Sequence, residues 1–219
     1  MTAPQEIRTA RLLLRSLERE DVAAIVRLAG AYEIAATTVQ IPHPYAENDA
    51  RKFLTQANEE FQAGRAVSFA ISISPGRGLC GAVGLHLADS HRRAELGYWI
   101  GMPFWGKGFA TEAASAAVAF GFETLNLRRI FAHHFAGNTA SQRVLEKIGM
   151  RHEGRFRQHI QKWDQFIDIE NYGLLAEEFR KVDSDSGGDP INSGEPARSG
   201  EPAQGGEPAR RSDGFREGE

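Results

Sequence analysis

The apolar positions of this chain follow two periods, and each period predicts one kind of secondary structure. Continuous or alternating apolar runs predict strands at residues 10–17, 67–73, 79–87, 95–100, 129–134, 150–160 and 164–174. Apolar residues about three to four positions apart predict helices at residues 20–29, 47–61, 110–125 and 138–148. A turn at Pro75-Gly76, followed by Gly78, separates the second and third strands and predicts a hairpin.

The order of the elements in the middle of the chain restricts the topology. The strand at 95–100, the alanine-rich helix at 110–125 and the strand at 129–134 follow one another. Such a strand–helix–strand unit joins parallel strands by a right-handed crossover. The pattern therefore predicts an α/β domain with at least one parallel strand pair.

The composition changes sharply after Val182. Residues 183–219 are rich in Ser, Gly, Asp, Glu and Pro, and Gly-Glu-Pro-Ala recurs from Gly194, Gly200 and Gly206. Such a segment has too little apolar surface to offset the entropy lost on ordering. We expect a folded domain at 1–182 and a disordered acidic tail at 183–219, which acts either as a docking segment or as a solvated extension.

Charge and cysteine content narrow the choice of function only a little. The tail carries nine acidic and four basic residues, which leaves the rest of the chain slightly basic, and neither value selects a partner. Cys80 lies in an apolar run and is predicted to be a buried structural thiol. Residues 1–8 lack the apolar stretch of a signal peptide, and no run approaches the roughly twenty apolar residues of a membrane span. The sequence predicts a cytoplasmic protein with no membrane partner.

A glycine-rich turn between the strand at 95–100 and the following helix indicates anion binding. Gly106 and Gly108 let the backbone approach an anion closely, and the first amides of a helix have no partners within it. A phosphate-binding loop of the NTPase type would have Ser or Thr after Lys107, where Gly108 stands instead. A dinucleotide-binding turn would open the domain, whereas this turn follows several strands. By itself, the turn predicts only that some anion binds.

Several ordered blocks around this turn resemble the GNAT superfamily of N-acetyltransferases, and most closely its ribosomal-protein N-terminal acetyltransferase branch. The blocks are the run from Glu95 to Ala113, the run from Arg129 to Met150, Thr9 to Arg15, and Pro42 to Tyr45. The family motif is Gln or Arg, two residues, Gly, one residue, and Gly or Ala; Trp105-Gly106-Lys107-Gly108-Phe109-Ala110 departs from it only at Trp105. The resemblance covers about residues 9–179.

The resemblance implies a mixed, mostly antiparallel central sheet that is splayed in the middle and flanked by helices on both faces. It also implies that acetyl-CoA is the co-substrate and lies in the splay. Backbone groups of Ile100, Gly101 and Met102 would run beside the pantetheine arm, and the side chain of Asn138 would contact it. Asn138 is also expected to cap the start of the helix at 138–148, a role compatible with that contact. The pyrophosphate would meet the backbone amides of the turn, contributed by Gly106, Lys107, Gly108, Phe109, Ala110 and Thr111.

Acetyl transfer to an amine needs a proton acceptor, a stabilised oxyanion and a proton donor for the leaving thiolate. The resemblance suggests Glu95 as the base and Ser141 as the donor, because the tyrosine that many members use falls at Leu145. Glu95 could instead be a structural carboxylate. The oxyanion would be held by a backbone amide near Ile100 or Gly101. His133 and His134 point to opposite faces of their strand, and each is interpreted as a packing or exposed histidine.

The sequence therefore predicts an acetyl-CoA-dependent N-acetyltransferase that acts on a primary amine, either a protein N-terminus or a small molecule. The alternative is a non-catalytic acyl-CoA-binding or regulatory module. Seven histidines and one cysteine show no metal-ligand spacing, so no metal site is expected. Arg128-Arg129 does not form a basic stripe, so no nucleic-acid partner is expected. The chain is predicted to be a monomer or a homodimer.

Overall fold

The structure, a computed structural model, describes residues 6–76, 78–88 and 91–179. The predicted domain end at residue 182 and the predicted tail at 183–219 lie outside these residues. The α-helices are α1 (Val22–Ala29), α2 (Tyr32–Ala35), α3 (Glu47–Gln62), α4 (Phe109–Glu123) and α5 (Thr139–Lys147). The strands are β1 (Ile7–Arg8), β2 (Leu12–Arg15), β3 (Ala66–Ile73), β4 (Leu79–Ala88), β5 (Arg93–Ile100), β6 (Arg129–Phe135), β7 (Arg151–Lys162) and β8 (Gln165–Leu175).

The strands form one sheet in the order β1-β2-β3-β4-β5-β6-β8-β7. Every neighbouring pair is antiparallel except β5 and β6, which are parallel and are joined through α4. The predicted parallel pair and the mixed, mostly antiparallel sheet are therefore confirmed.

Helices cover both faces of the sheet, as the alternation of side chains along the strands requires. On one face, α4 packs its small residues Ala113, Ala114 and Ala117 against the largest apolar cluster, and Gly121 brings the helix close to the strands. A Cβ at Gly121 would lie 2.7 Å from Cδ1 of Ile130. On the other face, α1 and α3 pack on a second cluster. The face covered by α4 and α5 is called the α4 face below, and the opposite one the α1 face.

Each predicted element is present, and its ends fall within two residues of the predicted ones. The prediction missed β1 and α2, because two-residue and four-residue elements are too short to show a period. The predicted strand at 10–17 ends early at Arg15, since the chain turns there into a 3₁₀ helix, Arg19–Asp21. The guanidinium of Arg15 donates two hydrogen bonds of 2.7 Å to the Asp21 carboxylate, which holds this turn against β2.

Cys80 is fully buried in β4, so the prediction of a structural thiol is confirmed. Burial raises the pKa of the Cys80 thiol to about 11, and the reactive thiolate form is therefore scarce at neutral pH. Over the described part of the chain, no helix is both long and apolar enough to cross a membrane.

Candidate active site

The strands β5 and β6 separate along their length and leave a gap in the middle of the sheet. Their pairing covers Arg93 to Glu95 on β5 and Arg129 to Phe131 on β6, and it ends there. Beyond this point β5 still pairs with β4 as far as Ile100, and β6 still pairs with β8 as far as Phe135. Each strand is thus held by its outer neighbour, and the backbone groups that face the gap are not used by the sheet.

The register shows which backbone groups of β5 face this gap. The amide of Gly101 donates to the carbonyl of Cys80 at 2.8 Å, so odd-numbered residues of β5 bond to β4. Because hydrogen-bonding directions alternate along a strand, the amides of Tyr98 and Ile100 face the gap. The carbonyl of Gly101 accepts from the amide of Phe104. Between the two predicted oxyanion donors, the structure therefore favours Ile100 over Gly101.

The glycine-rich turn lies just beyond the end of β5, at the start of α4. Gly106 and Gly108 have φ angles of +72° and +78°, a left-handed conformation that side chains disfavour. Gly108 is the N-cap of α4, and no side chain caps the helix. Among the described residues, the backbone amides of residues 106–111 make no hydrogen bond. The turn therefore offers unpaired amides and the positive end of a helix to an anion, while the role of each predicted residue in binding remains a prediction.

A clamp from the chain segment before β2 holds this turn in place. The Glu112 carboxylate, in the first turn of α4, accepts hydrogen bonds from the Thr9 hydroxyl (2.6 Å), the Arg11 amide (2.8 Å) and the Arg11 guanidinium (2.7 Å). Arg11 also donates to the carbonyl of Lys107 at 2.9 Å. The sequence resemblance included Thr9 and Arg11 but assigned them no role, because a contact across a hundred residues leaves no local signal.

Replacing Glu112 by Gln should loosen the clamp. Burial by itself would raise the pKa of Glu112, but the hydrogen bonds from Thr9 and Arg11 bring it below its usual range. A lowered folded-state pKa means that the carboxylate stabilises the fold above its unfolded-state pKa, about 4.3. This contribution is lost as the pH falls through the folded-state pKa. We expect Glu112→Gln to lower the free energy of unfolding at neutral pH by about 1–3 kcal/mol, measured by urea denaturation, and the difference from the wild type to shrink in acid.

The control for this prediction is Glu47→Gln, because Glu47 is exposed and, within the described part of the chain, pairs only with Arg51 one turn along α3. It should change the free energy of unfolding by about 0.5 kcal/mol or less. Equal losses in the two variants would show that the clamp does not stabilise the fold.

On the α4 face of the gap, two hydroxyl groups meet. Asn138 caps α5 by accepting a hydrogen bond from the Ser141 amide at 3.1 Å, which confirms its expected capping role. The Ser141 hydroxyl then shares a hydrogen bond of 2.8 Å with the hydroxyl of Tyr98 on β5. Burial raises the pKa of Tyr98 to about 12, although the bond to Ser141 acts in the opposite direction, so the phenol is protonated at neutral pH. Tyr98 was not among the residues predicted from the sequence.

On the α1 face, Glu95 meets His133. The Nδ1 atom of His133 lies 3.0 Å from Oε1 of Glu95, and both side chains are partly exposed. His133 was predicted to be a packing or exposed histidine, whereas it is a direct partner of Glu95. Glu95 and Ser141 do not meet, because side chains at positions 95 and 98 of β5 point to opposite faces. His134 is buried on the α4 face beside Tyr172, and its predicted packing role is confirmed.

The tip of the β7–β8 hairpin contacts the segment at residues 32–41, which is distant from it in sequence. The tip of the β7–β8 hairpin contacts α2 through stacked rings of Trp163 and Tyr32, whose centres lie 5.4 Å apart. The buried ammonium of Lys162 donates to the carbonyls of Val39 (3.2 Å) and Ile41 (2.7 Å), and burial lowers the pKa of Lys162. The segment at residues 32–41 and the tip of the β7–β8 hairpin are therefore in contact with each other. Tyr32 and Trp163 remain largely exposed, while Tyr45 packs on the second apolar cluster.

Comparison with known proteins identifies the class to which this architecture belongs. The family model described as an acetyltransferase (GNAT) domain matches residues 11–151. The uncharacterized N-acetyltransferase p20 of Bacillus licheniformis is 32% identical over 173 residues, which cover 78% of this chain and 96% of that protein. The chain therefore belongs to the GNAT acetyltransferase family, and it is an acetyltransferase.

Two solved structures share the fold. A GNAT-family acetyltransferase from Bacillus anthracis superposes with a TM-score of 0.71 at 29% identity, over 79% of this chain and 99% of that one. The ribosomal L7/L12 alpha-N-protein acetyltransferase RimL, solved in complex with coenzyme A, gives a TM-score of 0.71 at 19% identity, over 78% of this chain and 98% of that one. The second likeness concerns the fold alone. Among the residues that the structure describes, no cluster of His, Cys, Asp and Glu is arranged to hold a metal ion.

Proposed function

We propose that this chain transfers the acetyl group of acetyl-CoA directly to a primary amine in the gap between β5 and β6. The observation that carries the proposal is the gap itself, which runs from the unpaired amides of the glycine-rich turn to two polar side-chain pairs on opposite faces. A strand-like ligand arm with an anionic end fits a gap that has a free sheet edge and an anion-binding helix start. These residues fit acetyl-CoA, which supplies the thioester when bound.

Each group of residues would have one task. The amides of residues 106–111 would bind the pyrophosphate, and the gap-facing edge of β5 would lie beside the pantetheine arm. The Ile100 carbonyl already accepts a hydrogen bond of 2.5 Å from Nε1 of Trp105, and the Ile100 amide would donate to the oxyanion. Asn138 would contact the pantetheine through its Nδ2 group, since its Oδ1 atom already caps α5. Gly101 and Met102 follow the end of β5, and their backbone would lie beside the pantetheine arm.

The polar side chains on the two faces of the gap suit the two proton transfers of the reaction, one to the leaving sulfur and one from the attacking amine. The Ser141 hydroxyl, supported by Tyr98, would donate a proton to the leaving sulfur on the α4 face. The amine would approach from the α1 face, where Glu95 and His133 lie. This separation keeps the proton donor and the proton acceptor apart, so that they do not neutralise each other before the acceptor binds.

The acceptor is either a protein N-terminus or a small-molecule amine. The sequence blocks that resemble the ribosomal-protein N-terminal acetyltransferase branch support the first. The non-catalytic alternative is not favoured, because its support was the absence of a tyrosine at Leu145. Leu145 is fully buried in the core, and Tyr98 brings a phenol to Ser141 from β5 instead.

An acceptor screen tests the proposal. Purified protein would be mixed with acetyl-CoA and with peptides that begin with Ala, Ser or Met, a polyamine, an aminoglycoside and free amino acids, and thiol release would be followed. Release of coenzyme A with formation of an acetylated amine is the expected result. Tight binding of coenzyme A without turnover of any amine would instead support the non-catalytic module.

Replacing Gly108 by Val should weaken acetyl-CoA binding. Valine in the left-handed conformation at φ +78° costs about 1–2 kcal/mol, and relief of that strain would turn the amides away from the anion. We expect Kd for acetyl-CoA to rise about tenfold or more, measured by calorimetry. Gly78→Val is the matched control, because no atom lies within 4 Å of a Cβ placed at Gly78. Similar affinities of the two variants would rule out the turn as the anchor.

A further inference from the structure

The pairing of Glu95 with His133 raises the question of which side chain removes the proton from the amine. This question rests on the proposed function, and the two candidates are in direct contact. Their side chains are 37% and 23% exposed, so a substrate can reach both of them. They lie on the α1 face, where the pairing of β5 with β6 ends, and His133 stands two residues beyond the last paired residue, Phe131.

The geometry defines the tautomer of His133. A carboxylate accepts hydrogen bonds and donates none, so the contact with Glu95 places the proton of a neutral imidazole on Nδ1. The Nε2 atom then carries the free lone pair. Among the described residues, none forms a hydrogen bond with Nε2 of His133. This is the arrangement of a carboxylate-oriented histidine, in which the outer nitrogen is ready to accept a proton.

Glu95 is less suited to this task. The hydrogen bond from His133 lowers the pKa of Glu95, burial works against this effect, and the charges of His133 and of His86 opposite on β4 lower the pKa further. A carboxylate in this state is anionic at neutral pH and has one oxygen already occupied. A base works best when it titrates near the operating pH, and the lowered pKa moves Glu95 further from that condition.

We propose that Nε2 of His133 accepts the proton of the attacking amine, and that Glu95 is a positioning residue that orients the ring and stabilises the imidazolium. The amine nitrogen forms the new bond to the thioester carbonyl carbon and gives one proton to Nε2, while the carbon–sulfur bond breaks and the sulfur takes one proton from Ser141. His133 then gives its proton to solvent and the Ser141 oxygen takes one from solvent, so the proton lost by nitrogen balances the one gained by sulfur.

Other charged groups lie around the Glu95–His133 pair. His86 flanks Glu95 from β4 and lies within electrostatic range of Glu60 on α3. Arg93 lies over the ring of Phe131 on the same face. Arg129 forms an ion pair with Glu153 at the far end of β6. None of these forms a hydrogen bond with His133.

The test compares His133→Ala with Glu95→Gln, using the most active amine of the screen. We expect His133→Ala to lower kcat/KM by about 10²–10⁴-fold, to abolish the acidic limb of the pH profile, and to recover activity when imidazole is added. Glu95→Gln should keep an acidic limb, and imidazole should not rescue it. His91→Ala, in an exposed turn, serves as the control. Calorimetry should show unchanged coenzyme A binding in all variants.

The opposite pattern would overturn the assignment. If Glu95 is the base, Glu95→Gln loses the acidic limb, and imidazole does not rescue His133→Ala. His133→Gln provides a second variant of similar size in case the alanine variant does not fold, and it too should lose the acidic limb. Failure of the wild-type protein to bind acetyl-CoA or to turn over any amine would reject the proposed function, and this result is separate from an unrescued His133→Ala in an active enzyme.

Discussion

Replacing Ser141 by Ala is expected to lower kcat by about 10²–10⁴-fold, the range seen when a well-placed proton donor or acceptor is removed. The reason is the position of its hydroxyl on the α4 face of the gap, where it shares a hydrogen bond of 2.8 Å with Tyr98. The substitution leaves the Ser141 amide in place, so the cap by Asn138 survives. Single-turnover measurements of acetyl transfer, with acetyl-CoA binding measured in parallel, would separate the chemical step from binding.

Two further variants separate the effect of the Ser141 hydroxyl from the effects of its neighbours. Tyr98→Phe removes a supporting hydrogen bond of about 0.5–1.5 kcal/mol, so the expected loss of rate is about tenfold or less. Thr139→Val removes an exposed hydroxyl from the same turn of α5 and should leave kcat unchanged. If Ser141→Ala keeps the wild-type rate, the two hydroxyls only hold α5 against β5.

Replacing Asp21 by Ala should produce the largest loss of stability. The side chains of Arg15 and Asp21 are only 3% and 6% exposed, and two hydrogen bonds of 2.7 Å join them. Asp21 also accepts a hydrogen bond from the Glu18 amide at 2.8 Å. Removal of Asp21 takes away both short hydrogen bonds of this buried guanidinium, and breaking a buried ion pair typically costs about 3–5 kcal/mol. Urea denaturation of the variant measures this loss.

The neighbouring Glu20→Ala is the matched control, because Glu20 is exposed in the same 3₁₀ turn and should change stability little. The double variant Arg15→Met/Asp21→Leu replaces both charges with apolar side chains and should recover much of the lost stability. If Asp21→Ala and Glu20→Ala unfold at the same urea concentration, the buried pair does not stabilise the fold.

Much of the fold could be predicted from local pattern alone. The helix at Glu47–Gln62 and the strand at Leu79–Ala88 show clear periods over many residues, and both were predicted within one residue of their ends. The parallel pairing of β5 and β6 followed from the strand–helix–strand order and the handedness of crossovers. Strand β1 and helix α2 could not be predicted, because their formation depends on a neighbouring strand or loop rather than on their own sequence.

The candidate site also has features that could be predicted from the sequence and contacts that only the structure shows. The glycine-rich turn could be predicted because positive φ angles favour glycine at fixed positions. Asn138 could be predicted because the start of a helix needs a capping residue. The contacts of Glu95 with His133 and of Ser141 with Tyr98 could not be predicted from the sequence. Each joins residues some forty positions apart, and no periodicity reports which side chains meet across a sheet. The cytoplasmic location, the tail and the oligomeric state remain predictions from the sequence.

The sequence by itself determined the positions of the long elements, the glycine-rich turn and the family, because each of these depends on residue types at short spacing. Only the tertiary structure decided where β5 and β6 separate, which backbone amides face the gap, and that Glu95 and Ser141 lie on opposite faces. The physical reason is that strand pairing sets the register between distant segments, and the register determines the face on which each side chain lies.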